Sequence, residues 1–178
     1  MNKLEIKIKS WEANKRDAER IWSLEGLIAH DYIPDPEETL ENWQLNDPKY
    51  FHDKLVAEIT SEMVGFMHIG QGRVENSHIL FFNLFVNPKH QNQGVGTAMY
   101  NKLITKCKSL GCAKIHSHIY DHPNWASGKS FFKKHKFEHI ATNREYSLAL
   151  QNKDLTQYKP LLDEVLNRGF TFVEPIKD

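Results

Sequence analysis

The eight residues Gln91-Asn92-Gln93-Gly94-Val95-Gly96-Thr97-Ala98 can bind a phosphate with backbone alone. From Val95 onward apolar residues recur at Met99, Leu103, Cys107 and Leu110, a helical period that predicts a helix opening at this turn and closing at Gly111. The first N–H groups of a helix have no intrahelical acceptor, and together with the helix dipole they attract an anion. Gly94 and Gly96 carry no Cβ, so such a ligand can come close to the main chain. Other side chains nearby can move protons. His116 and His118 are two apart, hence on one face of a strand, and an imidazole titrates at about pH 6.5. With ten histidines in the chain, an incidental role for either competes with that of a base.

These residues need elements to hold them. Ile79-Leu80-Phe81-Phe82-Asn83-Leu84-Phe85-Val86 is almost wholly apolar, as a strand covered on both faces must be, and Asn87-Pro88 ends it. Asn83 is its one polar side chain; an amide cannot act as a base at neutral pH but can position an amine or a water, or satisfy a neighbour. A second strand is expected from Lys114 to Tyr120, and a helix from about Asn124 to His135.

In this setting Gln91-x-x-Gly94-x-Gly96 is similar to the Q/R-x-x-G-x-G/A signature of the GNAT superfamily of N-acetyltransferases, which grips the pyrophosphate of acetyl-coenzyme A. The resemblance extends to the order of elements, strand, signature, helix, strand, helix. It implies an α+β fold, with a mostly antiparallel sheet of about six to seven strands flanked by helices. It also implies transfer of an acetyl group from acetyl-CoA to a primary amine of a small molecule or protein, by direct attack on the thioester. The cofactor contacts it implies are Phe85 and Val86 through the main chain, Gln91, Asn92, Gln93, Gly94, Val95, Gly96, Thr97 and Ala98 in the turn, and Asn124, Ser127 and Phe131 in the following helix. Asn124 also suits a helix cap.

Two departures concern catalysis. Family members often place Glu or His in the signature strand, where this chain has Leu80, Phe81, Phe82 and Asn83. Many have a proton-donating Tyr in the later helix, where Phe131 and Phe132 stand. The catalytic candidates are therefore Asn83, His118 as base and Tyr120 as donor to the leaving thiolate, Tyr120 being equally readable as a structural tyrosine. The departures also open an alternative, a catalytically degenerate acyl-CoA-binding module. Trp22, His30, Tyr32 and Trp43 are candidates for walling the acceptor cleft, or for the core.

Length and composition narrow the rest. At 178 residues the chain suits one well-filled domain, and 23 basic against 23 acidic residues give no excess that would attract nucleic acid. No apolar run approaches the ~18 residues of a membrane span. The mixed-charge start Met1-Asn2-Lys3-Leu4-Glu5-Ile6 lacks a signal peptide's apolar core, so a cytoplasmic location is expected. Cys107 and Cys112 are expected to remain thiols, and no ligand spacing for a metal stands out, a site from His116, His118 and His122 lacking any carboxylate or thiolate beside them.

Leu4–Lys9 alternates as a strand, helices are expected after Asn14 and from Pro36 to about Leu45, and Leu55–Ile59 with Val64–Ile69 reads as a hairpin. A second hairpin is expected from Phe137–Ala141 and Glu145–Leu150. Residues 1–150 would form the acetyltransferase domain. Residues 151–178 would add a helix, capped by Gly169, and a strand from Phe170 to Val173, packing on the same domain or on a second subunit in a homodimer. That tail resembles a GNAT subgroup often found as tandem domains.

Overall fold

The computed structural model describes residues 5–28, 35–72, 78–120, 125–144, 154 and 156–171. They fall into two compact units, Met1–Glu138 and His139–Asp178.

The first unit is built on a five-stranded sheet in sequential order: β1 (Lys7–Ser10), β2 (His52–Ile59), β3 (Glu62–Gln71), β4 (Ile79–Val86) and β5 (Lys114–His116). The first three pairings are antiparallel and the last, β4 with β5, is parallel. The β2–β3 turn is Thr60-Ser61, with φ of 49° and 69°, the left-handed geometry that matches the twist of a two-residue hairpin. Neither residue prefers it. Thr60→Asn with Ser61→Gly is expected to stabilise the fold by about 1 kcal/mol, read as a rise in urea midpoint at constant slope.

Side chains alternate across the sheet, and each face meets its own helix. Ala57, Met67, Ile69, Leu80 and Phe82 pack against Val95, Met99, Leu103 and Cys107 of α3 (Val95–Ser109). Val56, Met63 and Phe66 pack against Ala18, Ile21 and Leu24 of α1 (Lys15–Glu25), with Trp11 beside them. Asn14 caps α1 by accepting the N–H of Asp17 at 2.9 Å. Asp35 caps α2 (Pro36–Gln44), its carboxylate accepting from Glu37 and Glu38. The last helix of this unit is α4 (Ala126–Lys134).

One irregularity fixes where β4 ends. Between Ala57↔Gly65 and Glu58↔Met63 the pairing skips Val64, and the Val64 carbonyl accepts the N–H of Asn87 at 2.9 Å. The bulge thus anchors the residue from which the signature loop departs.

Two expectations are corrected. Five strands form among the described residues, against the six to seven expected: Phe137–Ala141 is irregular and Glu145–Leu150 lies outside the described residues. The expected strand Lys114–Tyr120 stops at His116, because the Ser117 hydroxyl donates to the Phe82 carbonyl at 2.7 Å and takes the place of the next ladder bond.

In the second unit, α5 (Lys159–Asn167) follows a single 3₁₀ turn at Thr156–Tyr158, and Gly169 closes it with φ of 86°. Arg168 and Glu164 form an ion pair on it. Phe170 and Thr171 are not in a strand, and residues 172–178 lie outside the described ones.

Candidate functional site

A cleft of about 570 Å³ opens where β4 and β5 part. Their pairing ends at Phe81↔His116, yet β4 runs on to Val86. Asn83, Leu84, Phe85 and Val86 therefore form one wall, and Ser117, His118, Ile119 and Tyr120 the other. Parting parallel strands leave backbone donors and acceptors facing open space, where a ligand can complete a ladder that the protein leaves unfinished.

The signature loop closes one end. Gln91 donates through its side-chain amide to the Val86 carbonyl at 3.2 Å, and the Asn87 side chain accepts the N–H of Lys89 at 3.0 Å. These bonds hold the loop to the strand it leaves. Asn92 (φ 59°) and Gly94 (φ 92°) both adopt left-handed backbone, curling successive N–H groups into one concavity. The first α-helical bond of α3 runs from Ala98 N–H to the Gly94 carbonyl, so the N–H groups of Val95, Gly96 and Thr97 have no intrahelical acceptor, and no side chain caps the helix. A Cβ built on Gly94 meets no atom within 4 Å, so the concavity is open to a ligand. On Gly96 it would sit 3.4 Å from the Phe131 ring and 3.8 Å from Leu84 Cδ2, so the third wall lies close.

That third wall is α4. Ser127, Ser130, Phe131 and Lys134 recur three and four apart and face the cleft. Gly128 lets the helix seat there: a Cβ at this position would lie 2.6 Å from Ile119 Cδ1. The Ser130 hydroxyl donates to the Ala126 carbonyl at 3.2 Å; the orphan N–H groups of α3, with Lys134 and the Ser127 hydroxyl lining the same cleft, make this end fit a pyrophosphate and its linker.

The far end is aromatic and acidic. Phe85, Trp125, Tyr120 and His118 form a chain of ring contacts, with centroids 6.0, 5.4 and 5.9 Å apart in that order. Phe85 also stacks on Phe66 at 6.3 Å. Beside these rings the last residue of α1, Glu25, lines the cleft with Ile28. Burial pushes the Glu25 carboxyl up to about 7, against a smaller opposing pull from Lys54. Lys54 is itself lowered by burial, partly offset by Glu25, and its ammonium lies 4.4 Å from the Trp11 ring, 5.2 Å from Trp43 and 5.9 Å from Phe66. Next to it, His68 is pushed down to about 4 by burial, then by Lys54 and His52, and stays neutral.

Of the residues singled out from the sequence, Asn83, Phe85, Val86, Gln91, Asn92, Gly94, Gly96, Thr97, His118, Tyr120, Ser127 and Phe131 line this one cleft. Three from the loop do not line it with side chains. Gln93 points back to the Lys89 carbonyl at 3.0 Å, Val95 is 1% exposed in the core, and Ala98 lies a turn into α3. Asn124, His30 and Tyr32 lie outside the described residues. Trp43 packs edge-on against Trp11 at 5.2 Å and Trp22 is half exposed; neither lines the cleft. Sequence reasoning missed Glu25, Ile28, Ser117, Ile119 and Trp125. A glutamate near a helix end reads as surface charge, and nothing local marks it otherwise.

The comparisons with known proteins agree with this geometry. The L-amino acid N-acetyltransferase AaaT of Escherichia coli is 28% identical over 118 residues, which are 65% of this chain and 71% of that protein. Among solved structures, the ribosomal-protein-S18-alanine N-acetyltransferase of Escherichia coli superposes with a TM-score of 0.61 at 18% identity, covering 83% of this chain and 86% of that one. An N-acetyltransferase of Staphylococcus aureus Mu50 gives 0.64 at 16% identity, covering 77% and 86%. The acetyltransferase (GNAT) family model matches residues 11–137, which hold four of the five strands, β2 to β5, and the cleft. The chain belongs to the acetyltransferase (GNAT) family and is an enzyme of acetyl transfer to amines.

Proposed function

We propose that the enzyme uses acetyl-CoA as acyl donor and transfers the acetyl group to a primary amine by direct attack on the thioester. One observation carries this reading: the parting of β4 from β5 opens beside the orphan N–H groups of α3. The pyrophosphate would lie on the turn Gln91 to Ala98, held by the N–H groups of Val95, Gly96 and Thr97, with Lys134 opposite. The pantetheine arm would complete the ladder along Asn83 to Val86, with Ser127 and Phe131 on its other side.

Alternation along β4 divides the cleft between the two faces of the sheet. Phe82 and Leu84 lie on the α3 side, where Phe82 meets Phe132 at 6.3 Å and Leu84 faces Gly96. Asn83 and Phe85 lie on the α1 side. Donor and acceptor would then enter from opposite faces and meet in the parting. Backbone N–H groups near Phe85 and Val86 would stabilise the tetrahedral oxyanion, Asn83 would orient the amine, and Tyr120 or a water would protonate the departing thiolate. Residues 151–178 would serve as a packing element on the same domain or in a homodimer, and the protein would work in the cytoplasm.

Thermal unfolding with acetyl-CoA tests this. At a hundredfold over Kd, binding to the folded state adds about 2.7 kcal/mol, a rise of about 5 to 10 °C for a domain of this size. Gly96→Trp fills the space toward Phe131 and Gly94→Val strains a left-handed position, and each is expected to remove the rise. Release of free thiol in the presence of amine then reads the transfer itself. An unchanged melting temperature at saturating acetyl-CoA would sink the reading.

A further inference from the structure

We propose that Glu25 is the catalytic base of this enzyme and the group that recognises the acceptor, and that the acceptor is a primary ammonium carried on an aromatic or other apolar body. The proposal rests on the acetyl-CoA reading above and deepens it. β4 supplies no ionisable side chain to the cleft, so a base must come from another element, and two face it: His118, whose ring lies edge-on to Tyr120, and Glu25. Among the described residues that line the cleft, Glu25 is the one carboxylate.

Its place follows from the packing. Glu25 ends α1, on the face of the sheet to which Asn83 and Phe85 point. It interacts with Lys54, whose ammonium is 5.9 Å from the Phe66 ring, and that ring stacks on Phe85. Glu25 therefore lies toward the stretch of β4 beyond the parting, in the cleft that Tyr120 and Trp125 also line. Burial holds its carboxyl at about 7, a value suited to taking a proton near neutral pH. The titratable groups that the packed elements bring near it are Lys54 on β2 and, beside that lysine, His52 and the neutral His68; His118 shares the cleft.

Acceptor chemistry follows from what surrounds the carboxylate. Ile28, Phe85, Tyr120 and Trp125 present apolar and aromatic surface, which suits a hydrocarbon body and adds cation–π attraction for an ammonium. A polycationic aminoglycoside calls for several carboxylates, and a sugar phosphate for a cluster of basic groups. Among the described residues of the cleft, one carboxylate stands against an aromatic wall, which fits neither.

The bound ammonium gives one proton to the Glu25 carboxylate. The freed nitrogen lone pair forms the N–C bond to the thioester carbonyl carbon, whose π pair moves onto oxygen. Collapse re-forms the carbonyl and breaks the C–S bond, with the pair leaving on sulfur. The second nitrogen proton goes to that thiolate, through Tyr120 or water, and Glu25 returns its own proton to solvent.

The test uses 2-phenylethylamine as the acceptor probe and kanamycin as the polycationic contrast, with thiol release as the readout. In wild type, kcat/KM for 2-phenylethylamine is expected to rise about tenfold per pH unit up to a limb near 7 and to fall again only as the amine itself loses its proton. Glu25→Gln is expected to lose at least a hundredfold in kcat, to lose the limb near 7, and to keep the full acetyl-CoA rise in melting temperature. Glu25→Asp should restore part of the rate and the limb. A Glu25→Gln enzyme with the wild-type rate and pH profile overturns the role of the base. Wild type that binds acetyl-CoA yet leaves 2-phenylethylamine unacetylated, or prefers kanamycin, overturns the acceptor class. Absence of the acetyl-CoA rise in wild type fails the donor reading instead.

Discussion

Replacing Gly65 by valine is expected to destabilise the fold by about 3 kcal/mol and to abolish the acetyl-CoA rise in melting temperature, although Gly65 is no part of the signature. A Cβ there would lie 2.9 Å from Met99 Sδ, 3.1 Å from Val95 Cγ1 and 3.3 Å from Ala57 Cβ. Met99 and Val95 are fully buried on the first turns of α3, so neither can swing out to solvent. Relief requires α3 to back away from β3, and the N–H groups of Val95, Gly96 and Thr97 would move with it. Gly65→Ala should lose less, about 1 kcal/mol, with a smaller rise on binding. Urea unfolding of both variants, with and without acetyl-CoA, checks this. A valine variant of unchanged midpoint would mean that the helix has slack, and that the cradle is positioned by the Asn87 and Gln91 bonds alone.

The second large effect has opposite signs for stability and rate. Below about pH 4.5 the Glu25 carboxyl is protonated in folded and unfolded chains alike. As pH rises from there to about 7, the unfolded chain gives up its proton while the folded chain retains it, so stability falls through this window and levels off above it. Glutamine escapes the penalty. At about 1.4 kcal/mol per pH unit, Glu25→Gln is expected to gain about 3 kcal/mol at pH 8, the pull of Lys54 being already contained in the value of about 7, and close to nothing at pH 4. Melting curves of the two proteins at pH 4.5, 6 and 8 should diverge with rising pH by several degrees. Parallel curves would show that Glu25 ionises as freely in the folded protein as in water.

The contrast between Glu25 and the signature turn explains how far the sequence could be read. The turn is local: its glycines, its helix and its preceding strand are contiguous, so residue types and spacing define the cradle before any fold is known. Expectations for α1, α2, the β2–β3 hairpin and β4 rested on periodicity, caps and turn residues that likewise act within a few positions. Glu25 is set by tertiary packing. Its neighbours Trp22, Ser23 and Gly26 are exposed, and only the packing of the helix end on the rest of the fold buries the carboxyl. The early end of β5 was hidden for a related reason. Ile115, Ser117 and Ile119 continue to alternate with His116, His118 and Tyr120, so the pattern carries on past the point where the Ser117 hydroxyl stops the ladder. Periodicity reports which face a side chain takes, and says nothing of whether a neighbouring strand is still there.

The division of the cleft between the two faces of the sheet gives the enzyme separable parts. The signature turn lies with α3 and α4, whereas Glu25 ends α1 and Ile28 lies in the turn just after it. On the proposed assignment, a mutation at the end of α1 would change which amine is accepted without moving an atom that holds the donor. Divergence, natural or in the laboratory, can therefore proceed on one half of the molecule at a time, and a library confined to residues 22–28 explores acceptor preference while the donor half keeps every variant measurable by the same thiol assay.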